Sequence, residues 1–203
     1  MTSLAALPWW QDLTPRQIER LAAADGVAVL PLAAIEQHGE HLPLSTDLDI
    51  GLGLLQAALP RLRTGLPLCV LPPLAVGLSL EHRGFTGTLS LSPETALATL
   101  AELGDSVARA GIRRLVLFNS HGGNKALLDL AALKLRAVHR MLVVRANYFR
   151  FAPPIDALPA AELRHGLHGG ALETAMMLHL APHKVCVEAI DTFPSLGQTM
   201  AAQ

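Results

Sequence analysis

The segment Ile35-Glu36-Gln37-His38-Gly39-Glu40-His41-Leu42-Pro43-Leu44-Ser45-Thr46-Asp47 concentrates carboxylates and imidazoles in a chain of which only 16% is charged. Glu36, His38 and Asp47 offer oxygen and nitrogen donors of the kind that hold divalent metals. Glu36 and His38 are two apart, so both side chains leave the same face of an extended strand end. A second cluster, Asn119-Ser120-His121-Gly122-Gly123-Asn124, places His121 beside a glycine turn that leaves its imidazole unobstructed. In a third, His165-Gly166-Leu167-His168-Gly169-Gly170-Ala171-Leu172-Glu173-Thr174, His168 is expected in a loop. Glu173 is expected in the first turn of the next helix, where a carboxylate gains from the helix N-terminus. Taken singly, each residue has a plainer reading. Glu36 is a hydrogen-bonded buried carboxylate, Asp47 a helix cap, Glu173 a partner of the helix dipole, and a histidine beside glycines a turn residue. Three such clusters, each at a strand exit or a helix entry, favour a metal site over these readings. Ser120 lacks the Gly-x-Ser-x-Gly elbow of a serine nucleophile. Gly122-Gly123 belongs to neither glycine-rich phosphate-binding motif.

The elements that must position these clusters alternate. Thr14-Pro15-Arg16-Gln17 opens a helix with a capping box and proline at its first position, and the helix runs to about Ala24. Val27 to Leu32 reads as a buried strand whose exit loop carries the first cluster. Thr46 or Asp47 caps a helix reaching Leu59, which Pro60 ends. A strand is expected over Leu68 to Leu71, then a polar loop over 77–91 in which Gly77, Gly84 and Gly87 imply positive φ or close backbone approach. A helix follows from Glu94 to Ala110, a strand from Arg114 to Asn119, a helix from Asn124 to Arg140, a strand from Met141 to Asn147, a loop marked by Pro153-Pro154 and Pro159, and a helix from Ala171 to Leu180. Strands alternating with helices predict an α/β fold with a mostly parallel sheet, and nearly continuous apolar strands agree. Ligands of such sheets bind outside the carboxyl ends of the strands, so the Glu36–Asp47 and His121 loops belong to one rim.

Composition narrows the function classes. A chain of 203 residues that is 51% hydrophobic can build one substantial core, and residues 1–203 are expected to form a single domain. A net charge of −1 argues against a protein held to nucleic acid or a membrane surface by bulk electrostatics. Two cysteines, Cys69 and Cys186, make no disulfide framework and fit a reducing cytosol, so a cytoplasmic location is expected. The first residues lack the basic-then-apolar pattern of a signal peptide, and no uncharged apolar run reaches the roughly 18 residues of a membrane helix.

The residues also carry a family resemblance. Glu36-Gln37-His38-Gly39-x-His41-Leu42-Pro43-x-x-Thr46-Asp47 resembles the N-terminal signature of the creatininase (creatinine amidohydrolase) family. The likeness continues in Gly77-x-Ser79-x-x-His82-x-x-Phe85-x-Gly87-Thr88, in His121-Gly122-Gly123-Asn124 and in His168-x-Gly170-x-x-Glu173-Thr174. These blocks stand in the family's order and span about residues 27–180. The resemblance implies a three-layer α/β/α fold, one or two divalent metals (Zn, Mn or Fe) and hydrolysis of an amide, cyclic amide or formamide C–N bond. It implies that Glu36, Asp47 and His121 hold one ion. His38, Asp47 and a further carboxylate, for which Glu173 is the best candidate, would hold a second. It gives His168, with Glu173 beside it, the proton-transfer role, and Glu40, His41 and His82 become candidates to orient the ligands. Homo-oligomers, often hexamers, are usual in the family. The chain departs from creatininase at Gly122 and Gly123, where that enzyme has a tyrosine and a metal-binding glutamate, which leaves the second ligand set open and makes creatinine a weak candidate substrate. It also ends soon after the fourth block, so it is either a compact member or lacks a C-terminal segment. Two alternatives stand beside a small-molecule amidohydrolase: a metal-dependent peptidase acting on a short peptide, of the mycofactocin-maturation type, and a non-catalytic binding or structural subunit.

Overall fold

The computed structural model describes residues 7–151, 158–166, 168–192, 195 and 200. Its elements are α1 (Pro15–Ala23), β1 (Val27–Leu32), α2 (Thr46–Ala58), β2 (Leu68–Val70), α3 (Pro93–Arg109), β3 (Arg114–Asn119), α4 (Lys125–His139), β4 (Leu142–Asn147), α5 (Ala160–His165) and α6 (Ala171–Leu180). The strands pair in the order β2-β1-β3-β4, all parallel, as the alternating elements predict.

Local rules account for the boundaries. Thr14 and Gln17 form the expected capping box on α1, and the chain turns at Asp25 with φ of 54°. Ser92 caps α3 by accepting from the Thr95 amide. Arg140 ends α4 in the left-handed region. Pro31 sits in a central strand, yet its N-side faces the β2 edge, and β2 has already ended at Val70. No ladder hydrogen bond is therefore lost. Most boundaries fall within one residue of expectation, and two differences go further. The cap position of α2 is Ser45, not Thr46 or Asp47, because Thr46 bonds back to the Pro43 carbonyl and Asp47 turns inward. A short helix, α5, occupies part of the expected loop once Pro159 has fixed its entry. The turn at Pro153-Pro154 lies outside the described residues.

The strand period of two sends side chains to opposite faces of the sheet. Ala28, Leu30, Leu32, Leu115 and Leu117 pack against Leu100 and Val107 of α3 and against Leu128 and Leu135 of α4. On the other face Val29, Val70, Val116 and Phe118 meet Leu55 of α2. Farther out on that side, Ile50 of α2 packs on Met177 of α6. Helices on both faces make the three-layer α/β/α architecture, with β4 as an open edge. No helix among the described residues is long and apolar enough to cross a membrane.

Candidate metal centre

The rim at the carboxyl ends of β1 and β3 gathers the predicted donors. Glu36 and His38 follow β1, His121 follows β3, and Asp47 and Glu173 come from the first turns of α2 and α6. All of them are buried, at 0 to 6% exposure. His121 Nδ1 lies 3.2 Å from Glu36 Oε1 and 3.1 Å from Asp47 Oδ2. His38 Nε2 lies 3.4 Å from Asp47 Oδ1 and 3.8 Å from Glu173 Oε2. The donors thus fall into a Glu36–Asp47–His121 group and a His38–Asp47–Glu173 group, which share Asp47 and take one of its oxygens each. A third grouping joins Glu36, His38 and His168.

Each imidazole has its far nitrogen tied to a backbone carbonyl. His38 Nδ1 pairs with the Glu36 carbonyl at 3.0 Å, and His121 Nε2 with the Leu78 carbonyl at 2.9 Å. Such bonds fix ring orientation and leave the other nitrogen as the donor to a metal. A buried asparagine network holds the His121 loop in place. The Asn119 amide donates to the His121 carbonyl at 2.7 Å, and Asn124 accepts from the Leu78 amide at 3.0 Å. Glu173 is held by the Gly169 amide at 2.7 Å and the Tyr148 hydroxyl at 3.2 Å. His41 bonds Thr174 at 2.8 Å and so ties the first loop to α6.

Among the described residues, Glu36 Oε1 and Oε2, His38 Nε2 and Asp47 Oδ2 are fully buried without a hydrogen bond. Buried charges left in that state are costly, and convergent carboxylate and imidazole atoms match the coordination preferences of a divalent cation. The residues therefore fit the metals that the sequence pattern implies. Burial pushes the His38 and His121 pKa values down, but contact with Asp47 and its charge reverse this, joined by Glu36 for His121; the two rise to about 9 and about 10. Burial likewise opposes ionisation of Glu36, yet the contact and charge of His121 hold its carboxyl below the usual range. Glu173 is pushed up by burial. Burial and the charges of His38 and His82 lower His168 to about 4.

A pH prediction follows for protein stripped by a chelator. The folded pKa values of His38 and His121 lie above the unfolded value of 6.5. Their stabilisation is fully present below pH 6.5 and is lost as pH rises through about 9 to 10. Divalent-cation uptake at pH 7 displaces these protons, so affinity increases with pH over the same range. Calorimetry in buffers of different ionisation enthalpy measures the protons released, and uptake without proton release contradicts the arrangement.

Two expected contributors behave differently from the rest. Glu40 is exposed on the loop, away from the buried cluster. In the 77–91 loop Gly87 has φ of 90° and Gly77 lies against the Ala33 carbonyl, as expected, whereas Gly84 has neither feature. Tyr148 was not singled out from the sequence, and Ser79, which the 77–88 block includes, was given no role, although it is buried at Glu36. Tyr148, the only tyrosine, directly follows β4 on the same rim, and the strand-end rule could have found it. Gly123 has a steric role: a Cβ there would come within 2.4 Å of both His121 Nε2 and the Leu78 oxygen. Gly123→Ala is expected to break that hydrogen bond and destabilise the fold by about 1–3 kcal/mol, measured by denaturant unfolding.

The Creatininase family model, described as creatinine amidohydrolase, matches residues 11–202. The chain belongs to the creatininase family. The mycofactocin precursor peptide peptidase of Mycobacterium ulcerans (strain Agy99) is 36% identical over 169 residues, which cover 80% of this chain and 61% of that protein. The creatinine amidohydrolase of Pseudomonas putida is 33% identical over 200 residues, covering 90% of this chain and 75% of that one. The chain therefore spans about three fifths of the mycobacterial relative's length. Among solved creatininase-family structures, a manganese creatininase superposes with a TM-score of 0.79 at 30% identity, covering 93% of this chain and 79% of the other. A mutant creatininase of Zn-Zn type superposes with a TM-score of 0.75 at 30% identity, covering 94% and 81%.

Proposed function

We propose that this creatininase-family chain is a metal-dependent hydrolase that splits an amide C–N bond with an activated water. The observation that carries this reading is the set of buried, hydrogen-bond-free carboxylate and imidazole atoms converging at one rim of the sheet. Glu36, Asp47 and His121 would hold one divalent ion, and His38, Asp47 and Glu173 would hold a second, with Asp47 belonging to both groups. The manganese and zinc–zinc forms among the structural relatives support ions of this class. When bound, the metals supply Lewis-acid activation of a water and of the substrate carbonyl.

The protein's own groups do the rest. Tyr148 and the Gly169 amide keep the Glu173 carboxylate in one orientation. His168 is partly exposed, with Nδ1 3.5 Å from Glu36 Oε1, and is the residue able to exchange protons between the rim and a substrate. It takes a proton as the water attacks and delivers one to the departing nitrogen, which would otherwise leave as a poor amide anion; a positioned group of this kind contributes about 10²–10⁴-fold.

A peptide substrate has specific support. A cleft of about 540 Å³ opens beside the rim, with His168, His41, Leu178, Ile190 and Asp191 on its walls. Its size lies in the range of about 300–1,000 Å³ typical of ligand pockets. The peptidase relatives agree with this choice. Short peptides tested against cyclic ureides and formamides, with released amine as readout, check the assignment. Turnover of a ureide but of no peptide overturns the peptide preference.

We also propose a single cytoplasmic domain that works as a homo-oligomer. The free thiols Cys69 and Cys186 support the location. Leu130 and Leu133 of α4 are 56% and 68% exposed, apolar surface that a second copy would cover. Leu133→Glu is expected to lower the mass seen in sedimentation, and an unchanged mass contradicts the patch as the interface.

A further inference from the structure

The rings of His38, His168 and His82 form a stack, with centroids 4.1 and 4.2 Å apart. Gln37 lies between the loop ligands Glu36 and His38 and meets His168, the middle ring of this stack, and His82 at one end of it. Its Oε1 accepts from the Gly39 amide at 3.0 Å, a group that can only donate. That contact fixes the carboxamide, so the NH₂ group faces His82 Nδ1 and His168 Nε2, each at 3.1 Å. His82 Nδ1 must therefore act as an acceptor, and its proton resides on Nε2, which faces Glu36 Oε1 at 3.8 Å. His168 has the reverse constraint. Its Nε2 lies 2.5 Å from the Gln37 backbone carbonyl, which cannot donate, so Nε2 carries the proton, its 3.1 Å approach to the Gln37 NH₂ is not a hydrogen bond, and Nδ1 presents a lone pair toward the same Glu36 oxygen at 3.5 Å. Gln37 thus presents a carbonyl to one ring and an amide N–H to its neighbour.

We propose that Gln37 is a positioning residue that sets complementary edges on two stacked histidines, His168 Nδ1 as proton acceptor and His82 Nε2–H as a hydrogen-bond donor to the substrate's reacting carbonyl oxygen. This rests on the hydrolase reading. In the step it serves, His168 Nδ1 takes one proton from the attacking water, the C–O bond forms, the C–N bond breaks, and that proton passes to the leaving nitrogen. His82 keeps its own proton throughout and stabilises the charge that develops on oxygen, a role whose loss typically costs about 10²–10³-fold in kcat.

The test uses zinc-loaded full chain with ¹⁵N-labelled histidine rings, wild type beside Gln37→Glu and Gln37→Met. In wild type His82 Nδ1 and His168 Nδ1 are expected to be unprotonated and both Nε2 atoms protonated. In Gln37→Glu a carboxylate oxygen replaces the amide N–H, so His82 Nδ1 gains a proton while His168, held by the backbone, keeps its tautomer. On any amide that wild type hydrolyses, Gln37→Met is expected to lower kcat by about 10-fold or more with KM little changed, and His82→Leu by about 10²–10³-fold. A protonated His82 Nδ1 in wild type, or no change in Gln37→Glu, overturns the clamp. A kcat in His82→Leu close to wild type overturns the donor role. Because the ring tautomers are read without substrate, a clamp found in a protein that hydrolyses no amide counts against the hydrolase reading and leaves the clamp standing.

Discussion

His168→Ala is expected to retain the full complement of metal while losing about 10²–10⁴-fold in kcat on an amide substrate. The expectation comes from where the ring sits. It belongs to the loop before α6, is partly open to the neighbouring cleft, and contacts Glu36 at 3.5 Å without being one of the deeply buried donors. Its bond to the Gln37 carbonyl holds the ring in place. Removing it leaves the carboxylates and the other two imidazoles supported by their own partners, since His38 bonds the Glu36 carbonyl and His121 the Leu78 carbonyl. The measurement is kcat together with metal per chain. A rate near wild type removes His168 from proton transfer, and a parallel loss of metal makes it a ligand, as the Glu36–His38–His168 grouping would allow.

His121→Ala is expected to lose one of two ions and to bring hydrolysis to background. The ring is the sole nitrogen donor of the Glu36–Asp47–His121 group, whereas the second group keeps His38, Asp47 and Glu173. The substitution leaves the Glu36 and Asp47 carboxylates without a nitrogen ligand, and with it goes the three-donor set suited to a transition-metal ion. The substitution also removes the hydrogen bond to the part-buried Leu78 carbonyl, at a cost of about 0.5–1.5 kcal/mol. The asparagine network and the parallel sheet do not depend on the ring, so circular dichroism at 20 °C or so should remain native. An active variant with both ions bound would remove His121 from the site.

Much of this arrangement could be read before any coordinates. The apolar runs at 27–32 and 114–119, set among alternating helices, read as buried parallel strands, and their exits were expected on one rim. Glu36, His38 and His121 therefore came together on topology alone. Asp47 was harder, because a carboxylate at a helix start is equally a cap. Only the fold shows the cap position filled by Ser45 and the Asp47 carboxylate turned to the histidines. The role of Gln37 was not legible, because an uncharged amide between two ligands has no periodicity or charge to mark it. Its partners His82 and His168 are 45 and 131 residues away in the chain. Contacts of that range depend on how the 77–91 loop and the start of α6 fold over the rim. Gly123 was read as a turn residue and a missing donor, whereas its smallness also leaves space for the Leu78 carbonyl to reach His121.

The central proposal is that Asp47 would serve both donor groups at the rim, and elemental analysis of reconstituted protein tests it most directly. About two equivalents of a divalent transition metal per chain in wild type, and essentially none in Asp47→Ala of native fold, is the predicted result. A wild type that takes up no metal on reconstitution, or an Asp47→Ala variant that keeps the wild-type complement, would contradict it.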